Sequence, residues 1–187
     1  MDIQPTLINR CIKGERKAEY ELFKLCFSYL MSICIRYTRQ QEKAKEVLNM
    51  GFYKVITNLK KYDQAQPFKP WLRRVMINTL INEYKKEKVH YGNHQYVENY
   101  YEDGRSSDSN EALSRINAKQ IYSLIEKLPP ASAQVFNLYF IDGYKHAEIA
   151  GMLNISVGTS KWHLNSSREK LKVMLKEELV KENIEVK

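Results

Sequence analysis

Glycine and proline are scarce in this chain, 7 and 5 among 187 residues. An all-β protein folded through many tight turns needs more of both. No long apolar run is present, so no transmembrane helix is expected. The opening segment, MDIQPTLINRCIKGERK, lacks the apolar core of a signal peptide, and a cytoplasmic chain is expected. Cysteine is limited to Cys11, Cys26 and Cys34 with no CxxC pair, which implies reduced thiols rather than a disulfide framework. There is no GxxxxGK[ST] loop and no nucleophile motif. His90 and His94 stand four apart, but without a third ligand they make no zinc site. No enzyme, metal or cofactor is expected.

What is present is positive charge. The net charge is +8 and the isoelectric point about 9.2. A basic chain meets nucleic acid, a membrane surface or an acidic partner. The charge is uneven. Residues 1–86 hold 17 basic and 8 acidic side chains, residues 87–113 hold 2 and 6, and residues 114–187 hold 11 and 8. Two basic blocks therefore flank an acidic stretch.

Both blocks carry helical periodicity. Leu22, Cys26, Leu30, Ile33 and Tyr37 recur on one face. Ala44, Val47, Leu48, Phe52, Val55 and Leu59 repeat the pattern. A loop with Pro67 and Pro70 follows, and Pro70 suits the first turn of the next helix. That helix carries Leu72, Val75, Met76, Leu80 and Tyr84. Residues 89–110 have no stripe and are polar, acidic and tyrosine-rich, which reads as a flexible linker. Its Tyr91, Tyr96, Tyr100 and Tyr101 rest either on a partner or on the chain's own helices. The predicted fold is all-α: two small helical domains, 1–88 and 111–187, joined by that linker, the C-terminal one a helix-turn-helix.

The helix-turn-helix reading comes from GYKHAEIAGMLNISVGTSKWHL, residues 143–164. Ile149 and Leu153 share a face with the small Ala150 between them. Asn154 suits a left-handed turn residue, Ser156 an N-cap, and Ile155 a plug between the helices. At 100° per residue, Leu164, Ser167, Leu171 and Leu175 gather on one side of the second helix. Thr159, Trp162, Asn165 and Ser166 lie opposite, flanked by Lys161 and His163. A polar, basic face with one large aromatic fits a DNA major groove. The other reading of Trp162 is packing on a neighbouring helix.

Taken together, the two halves resemble an extracytoplasmic-function (ECF) sigma factor, a promoter-recognition subunit of bacterial RNA polymerase. EVLNMGFYKV and FKPWLRRVMINTLINEYKK resemble its domain for core polymerase and the −10 element. LPPASAQVFNLYFIDGYKHAEIAGMLNISVGTSKWHLNSSREKL is similar to its −35 domain. The resemblance implies three surfaces. Lys161, Trp162, His163 and Asn165 would read −35 bases, with Thr159, Ser166 and Arg168 near the backbone. Arg74, Asn78, Asn82 and Lys85 would meet the −10 DNA, and Tyr62, Gln64, Gln66 and Phe68 would line a pocket for a flipped base. Glu46, Asn49, Met50 and Tyr53 would contact the clamp region of the largest core polymerase subunit. Trp71 is expected in the core rather than as a melting wedge. The implied partners are core RNA polymerase, promoter DNA and an anti-sigma factor, with no membrane insertion.

Several residues depart from the family pattern. Glu46 and Asn49 stand where Asp and Gln are usual, and Asn82 and Lys85 where Asp and Arg are common. Ser160 stands for a valine, and Trp162, His163 and Ser166 for a Ser, an Arg and an Arg. The promoter sequence therefore does not carry over from other members. The alternative is a helix-turn-helix regulator whose N-terminal helices sense or dimerise, acting without a sigma role. The EVLNMGF…WLRRVMIN block separates the two, since a sensor has no need of it.

Overall fold

The computed structural model describes residues 3–90 and 118–185, all of whose regular structure is helical. The tyrosine-rich stretch and His94 lie outside the described residues. Four helices form the N-terminal half: α1 (Pro5–Ile12), α2 (Arg16–Thr38), α3 (Gln41–Asn58) and α4 (Phe68–His90). Four more form the C-terminal half: α5 (Ala118–Glu126), α6 (Pro130–Phe136), α7 (His146–Leu153) and α8 (Val157–Glu185). No described helix is long and apolar enough to cross a membrane.

The expected stripes are the packed faces. Leu22, Cys26, Leu30, Ile33 and Tyr37 of α2 are buried, as are Ala44, Val47, Leu48 and Val55 of α3 and Leu72, Met76 and Leu80 of α4. Val75, Tyr84 and Trp71 pack against this core, partly covered. Pro70 sits in the first turn of α4, where a missing N–H costs nothing. Helices α3 and α4 cross closely at Gly51. A Cβ there would stand 2.5 Å from Met76 Cε and 2.6 Å from its Sδ. The three cysteines are buried free thiols. Burial pushes Cys11 up to about 11 and Cys26 and Cys34 to about 12, so none is a ready nucleophile.

Helix α1 was not anticipated by the periodicity. It places Leu7, Ile8 and Cys11 on the core and precedes the three helices read from the sequence.

Two further features were outside the expected picture of separate domains. One continuous apolar cluster includes Val135, Leu138, Ile149, Leu153 and Leu164 of the C-terminal half together with the α2–α4 core. Polar contacts reinforce it. The last turn of a helix leaves carbonyls without partners. Here the Gln134 amide donates to Tyr37 O at 3.2 Å, and the Asn137 amide to Arg36 O at 3.1 Å. Side chains of α6 and of the residue that follows it thus cap α2.

A second, smaller cluster holds α5 to α8: Leu124, Ile125, Leu128, Ala133 and Leu171. After α6 the chain widens into a π turn, Asn137–Ile141, and the Asp142 N–H bonds Asn137 O at 2.9 Å. Gly143 follows with φ of +79°, a conformation that favours glycine.

Candidate nucleic-acid interface

The C-terminal surface is built by local rules. Glu148 accepts the Lys145 N–H at 2.8 Å and fastens the start of α7. Asn154 ends α7 in the left-handed region, with φ of 56°. Ser156 then caps α8. Its Oγ accepts the Thr159 N–H at 2.9 Å and lies 2.8 Å from Thr159 Oγ1. Ile155 packs against the core between the two helices.

Helix α8 is then set in register by hydrogen bonds. Ser167 Oγ donates to Ser132 O at 3.0 Å, and Leu164 and Leu171 are buried beside it. Ser160, fully buried, bonds His146 Nδ1 at 2.9 Å. The packed face is therefore Ser160, Leu164, Ser167 and Leu171. Lys161 and Asn165 are exposed on the other side, while Thr159, Trp162 and Ser166 are half-buried. The Trp162 and His163 rings meet edge to face, their centroids 5.0 Å apart.

Within the expected −35 set, His163 and Arg168 reach beyond α8 to other elements. His163 Nδ1 lies 3.0 Å from Ser132 Oγ on α6. The Arg168 guanidinium sits 5.0 Å from the centre of the Phe140 ring. Both bonds tie the α8 surface to α6 and the π turn.

The face of α4 is simpler. Arg74, Asn78 and Asn82 are exposed, and Lys85 is half-exposed further along the same side. The preceding loop is layered. Tyr62 and Phe68, each 8% exposed, pack with Trp71 as an aromatic cluster with centroids 5.0 to 5.6 Å apart. The Tyr62 hydroxyl donates to Gln66 O across the loop. Gln64 and Gln66 are exposed above it, and Gln64 Nε2 donates to Asn9 Oδ1 at 2.8 Å. Asn9 belongs to α1, so the helix missed by periodicity braces this loop.

On α3, Glu46, Asn49, Met50 and Tyr53 share one exposed face, with Tyr53 70% and Met50 38% accessible. Lys43 reaches Glu46 at 3.6 Å and Glu87 of α4 at 2.9 Å. Among the described residues, no three His, Cys, Asp or Glu side chains come together as a metal-ligand set.

Sequence reasoning missed Arg36, Arg73 and Asp142. Asp142 accepts from Arg36 Nη2 at 2.9 and 3.1 Å, from the Tyr37 hydroxyl at 2.6 Å and from Arg73 Nε at 2.8 Å. Burial, with the Asp142 charge and hydrogen bond, raises Tyr37 well above the usual tyrosine range. No local signal marks these residues, because they meet only in the folded chain.

Residues 22–89 match the family described as Sigma-70 region 2, and residues 118–171 match Sigma-70, region 4. The chain is similar to the ECF RNA polymerase sigma factor SigW of Bacillus subtilis (strain 168), 26% identical over 180 residues, covering 91% of this chain and 95% of that one. It is also similar to the ECF RNA polymerase sigma-E factor of Escherichia coli (strain K12), 25% identical over 172 residues, 87% and 89% of the two chains. Among solved structures, the sigma factor RpoE from Bartonella quintana, crystallised with the anti-sigma factor NepR, superposes with a TM-score of 0.51. The identity there is 15%, covering 84% of this chain and 96% of that one, and it bears on the fold alone. With both regions matched in order and relatives aligned over nearly their full length, the chain belongs to the ECF sigma factors. It is a promoter-directed transcription initiation factor that works with core RNA polymerase, and the regulator without a sigma role is not favoured.

Proposed function

We propose that three separate surfaces of this sigma factor divide the work of initiation. Residues 1–88 hold core polymerase and the −10 element, residues 111–187 read the −35 element, and residues 89–110 link them. The observation that carries this is the exposure of the two DNA-facing sets. Arg74, Asn78 and Asn82 line the open side of α4, and Lys161 and Asn165 the open side of α8, each set opposite its own packed stripe.

On α4, Arg74 and Lys85 neutralise phosphates while Asn78 and Asn82 offer paired donors and acceptors to base edges. Gln64 and Gln66 form the rim of the flipped-base site, with Tyr62, Phe68 and Trp71 as its apolar floor. Unstacking a base costs a few kcal/mol, which contacts in such a site must offset.

On α8, Lys161, Trp162 and Asn165 meet bases. Thr159 and Ser166 lie near the backbone. His163 and Arg168 work at the flank, each held by a neighbour in α6 or the π turn. Glu46, Asn49, Met50 and Tyr53 contact the clamp region of the largest polymerase subunit.

The protein supplies recognition and leaves the chemistry to the polymerase. It works in the cytoplasm, and an anti-sigma factor is a further partner, a reading supported by the Bartonella quintana sigma factor's complex with the anti-sigma factor NepR.

The test is transcription in vitro from a randomised promoter library by core polymerase with this protein. Both elements should emerge from the selected sequences. Trp162→Ala and Lys161→Ala should relax the −35 consensus alone, and Asn78→Ala with Asn82→Ala should abolish opening. Selected promoters indifferent to all four changes would reject the assignment.

A further inference from the structure

We propose that Arg36 and Arg73 form a phosphate site for promoter DNA, and that Asp142 occupies this site while the two halves are packed together. The proposal rests on the sigma reading above and adds a DNA contact outside the residues assigned there.

The Asp142 side chain is fully buried, 0% exposed, between Arg36 at 10% and Arg73 at 33%. One carboxylate thus faces two guanidinium groups from two helices, with the Tyr37 hydroxyl as a further donor. Arg73 Nη2 also donates to Ile141 O at 2.6 Å. The local charge is unbalanced by one positive unit, and Arg36 Nε is buried without a hydrogen-bond partner. A π turn carries Asp142 to this place, and the Tyr144 N–H bonds Leu138 O at 2.9 Å just beyond it.

The donors and the acceptor belong to opposite halves. Arg36 and Tyr37 end α2, and Arg73 lies in the second turn of α4, so all three stay together without the C-terminal half. Asp142 leaves with that half. Promoter binding requires it to leave. Elements named for positions −10 and −35 are about 25 base pairs apart, and at about 3.4 Å each that is about 85 Å. A packed chain of this length has a radius of gyration of only about 16 Å.

Once Asp142 is gone, two guanidiniums from adjoining helices face solvent with no counter-charge between them. A phosphodiester has the same charge and the same paired oxygens as the carboxylate it replaces, and arginine forks match both. The location fits DNA. Arg73 precedes Arg74, the first residue of the proposed −10 face. The cleft around Asp142 has Tyr29, Lys69, Arg73 and Arg74 on one side, which stay with α2 and α4, while its acidic residues, Asp142 and Glu148, belong to the half that leaves. Asp142 is therefore an internal substitute for a DNA phosphate.

The experiment compares the full chain with Asp142→Asn and Arg73→Gln, without polymerase. Two quantities are read: the distance between fluorophores on α3 and α8, and affinity for a short labelled duplex of unselected sequence over a range of salt. Both variants should lengthen the distance. Only Asp142→Asn should bind DNA tighter, by about 10-fold, because it frees the site and keeps the arginines. Arg73→Gln should lose about one unit of salt slope relative to it.

Arg73→Lys keeps the charge and should restore that slope, which separates a lost phosphate contact from a damaged fold. Equal gains in Asp142→Asn and Arg73→Gln would overturn the phosphate site. An unchanged distance in Asp142→Asn would overturn the role of Asp142. Because no polymerase or promoter is used, these outcomes are independent of the transcription test of the sigma reading.

Discussion

The two halves of the molecule are held together by different forces. The α2–α4 core is aliphatic, with Leu22, Leu30, Ile33, Leu48, Leu72, Met76 and Ile77 almost wholly buried. The C-terminal half has a smaller apolar cluster and a polar interior. Ser132, Gln134, Asn137, Ser160 and Ser167 are polar residues buried in this half, as is the side chain of Asp142, whereas Thr79 is the one polar residue buried in the other half among the described residues. Apolar burial is strong but non-directional. Hydrogen bonds contribute less, about 1 kcal/mol net each, but they fix angle and register. The N-terminal half is thus built for stability, and the C-terminal half for the orientation of α8.

Mutations that strike each interior should therefore fail differently. The largest loss is expected in the aliphatic core. Leu30→Ala removes a side chain with no exposed surface and should cost about 3 kcal/mol, within the usual range of about 2–5. Urea unfolding followed by circular dichroism measures it. Because the apolar cluster runs across both halves, the C-terminal signal should melt with the N-terminal one. Two separate transitions would show that the shared cluster does not couple them.

Next in size is Gly51→Ala, at about 1–3 kcal/mol. The new methyl would press on the end of Met76, a flexible side chain that is fully buried. Shortening Met76 should relieve the clash, so Gly51→Ala with Met76→Ala should cost less than the sum of the single changes. Strict additivity would mean that α3 and α4 move apart instead.

In the polar half, Ser160→Ala should cost only about 1 kcal/mol, since it removes one hydrogen bond and leaves His146 Nδ1 without its Ser160 partner. Its larger effect should fall on function. With α8 less firmly set, −35 discrimination in the library selection should weaken while transcription from a promoter with a strong −10 element persists. A sharp stability loss with an unchanged consensus would invert the comparison.

Much of this fold was legible because its signals are local. The stripes of α2, α3 and α4 repeat at helical spacing over many turns, and the turn between α7 and α8 is written in Asn154 and Ser156. Helix α1 was passed over because eight residues with Leu7, Ile8 and Cys11 give too short a period, although Pro5 and Gly14 bracket it. Angle counting anticipated the open side of α4. It had no way to show that Tyr62 and Phe68 turn inward, since a loop has no period. Gln134 and Asn137 look like solvent-facing helix positions until α2 arrives to be capped. Asp142 lies 69 residues from Arg73 and 106 from Arg36, and no sequence window spans such a cluster.

The smallest expected effect is one of pH, and it too belongs to the polar half. His146 bonds Ser160 and stacks on Tyr139, with ring centroids 4.6 Å apart. Partial burial, then the charges of Lys161 and Arg168, lower its pKa from the usual value. The folded state therefore holds this ring neutral where the unfolded chain, with its usual value of about 6.5, takes up a proton. Its contribution to stability is present above that value and is lost as pH falls through it towards the lower folded pKa. His146→Gln keeps a group able to bond Ser160 but removes the titration. Urea midpoints taken from neutral pH down to about pH 5 should fall more steeply for the wild type than for the variant. Parallel slopes would mean that His146 is no less basic in the folded chain, and that the polar interior tolerates a charge beside Ser160.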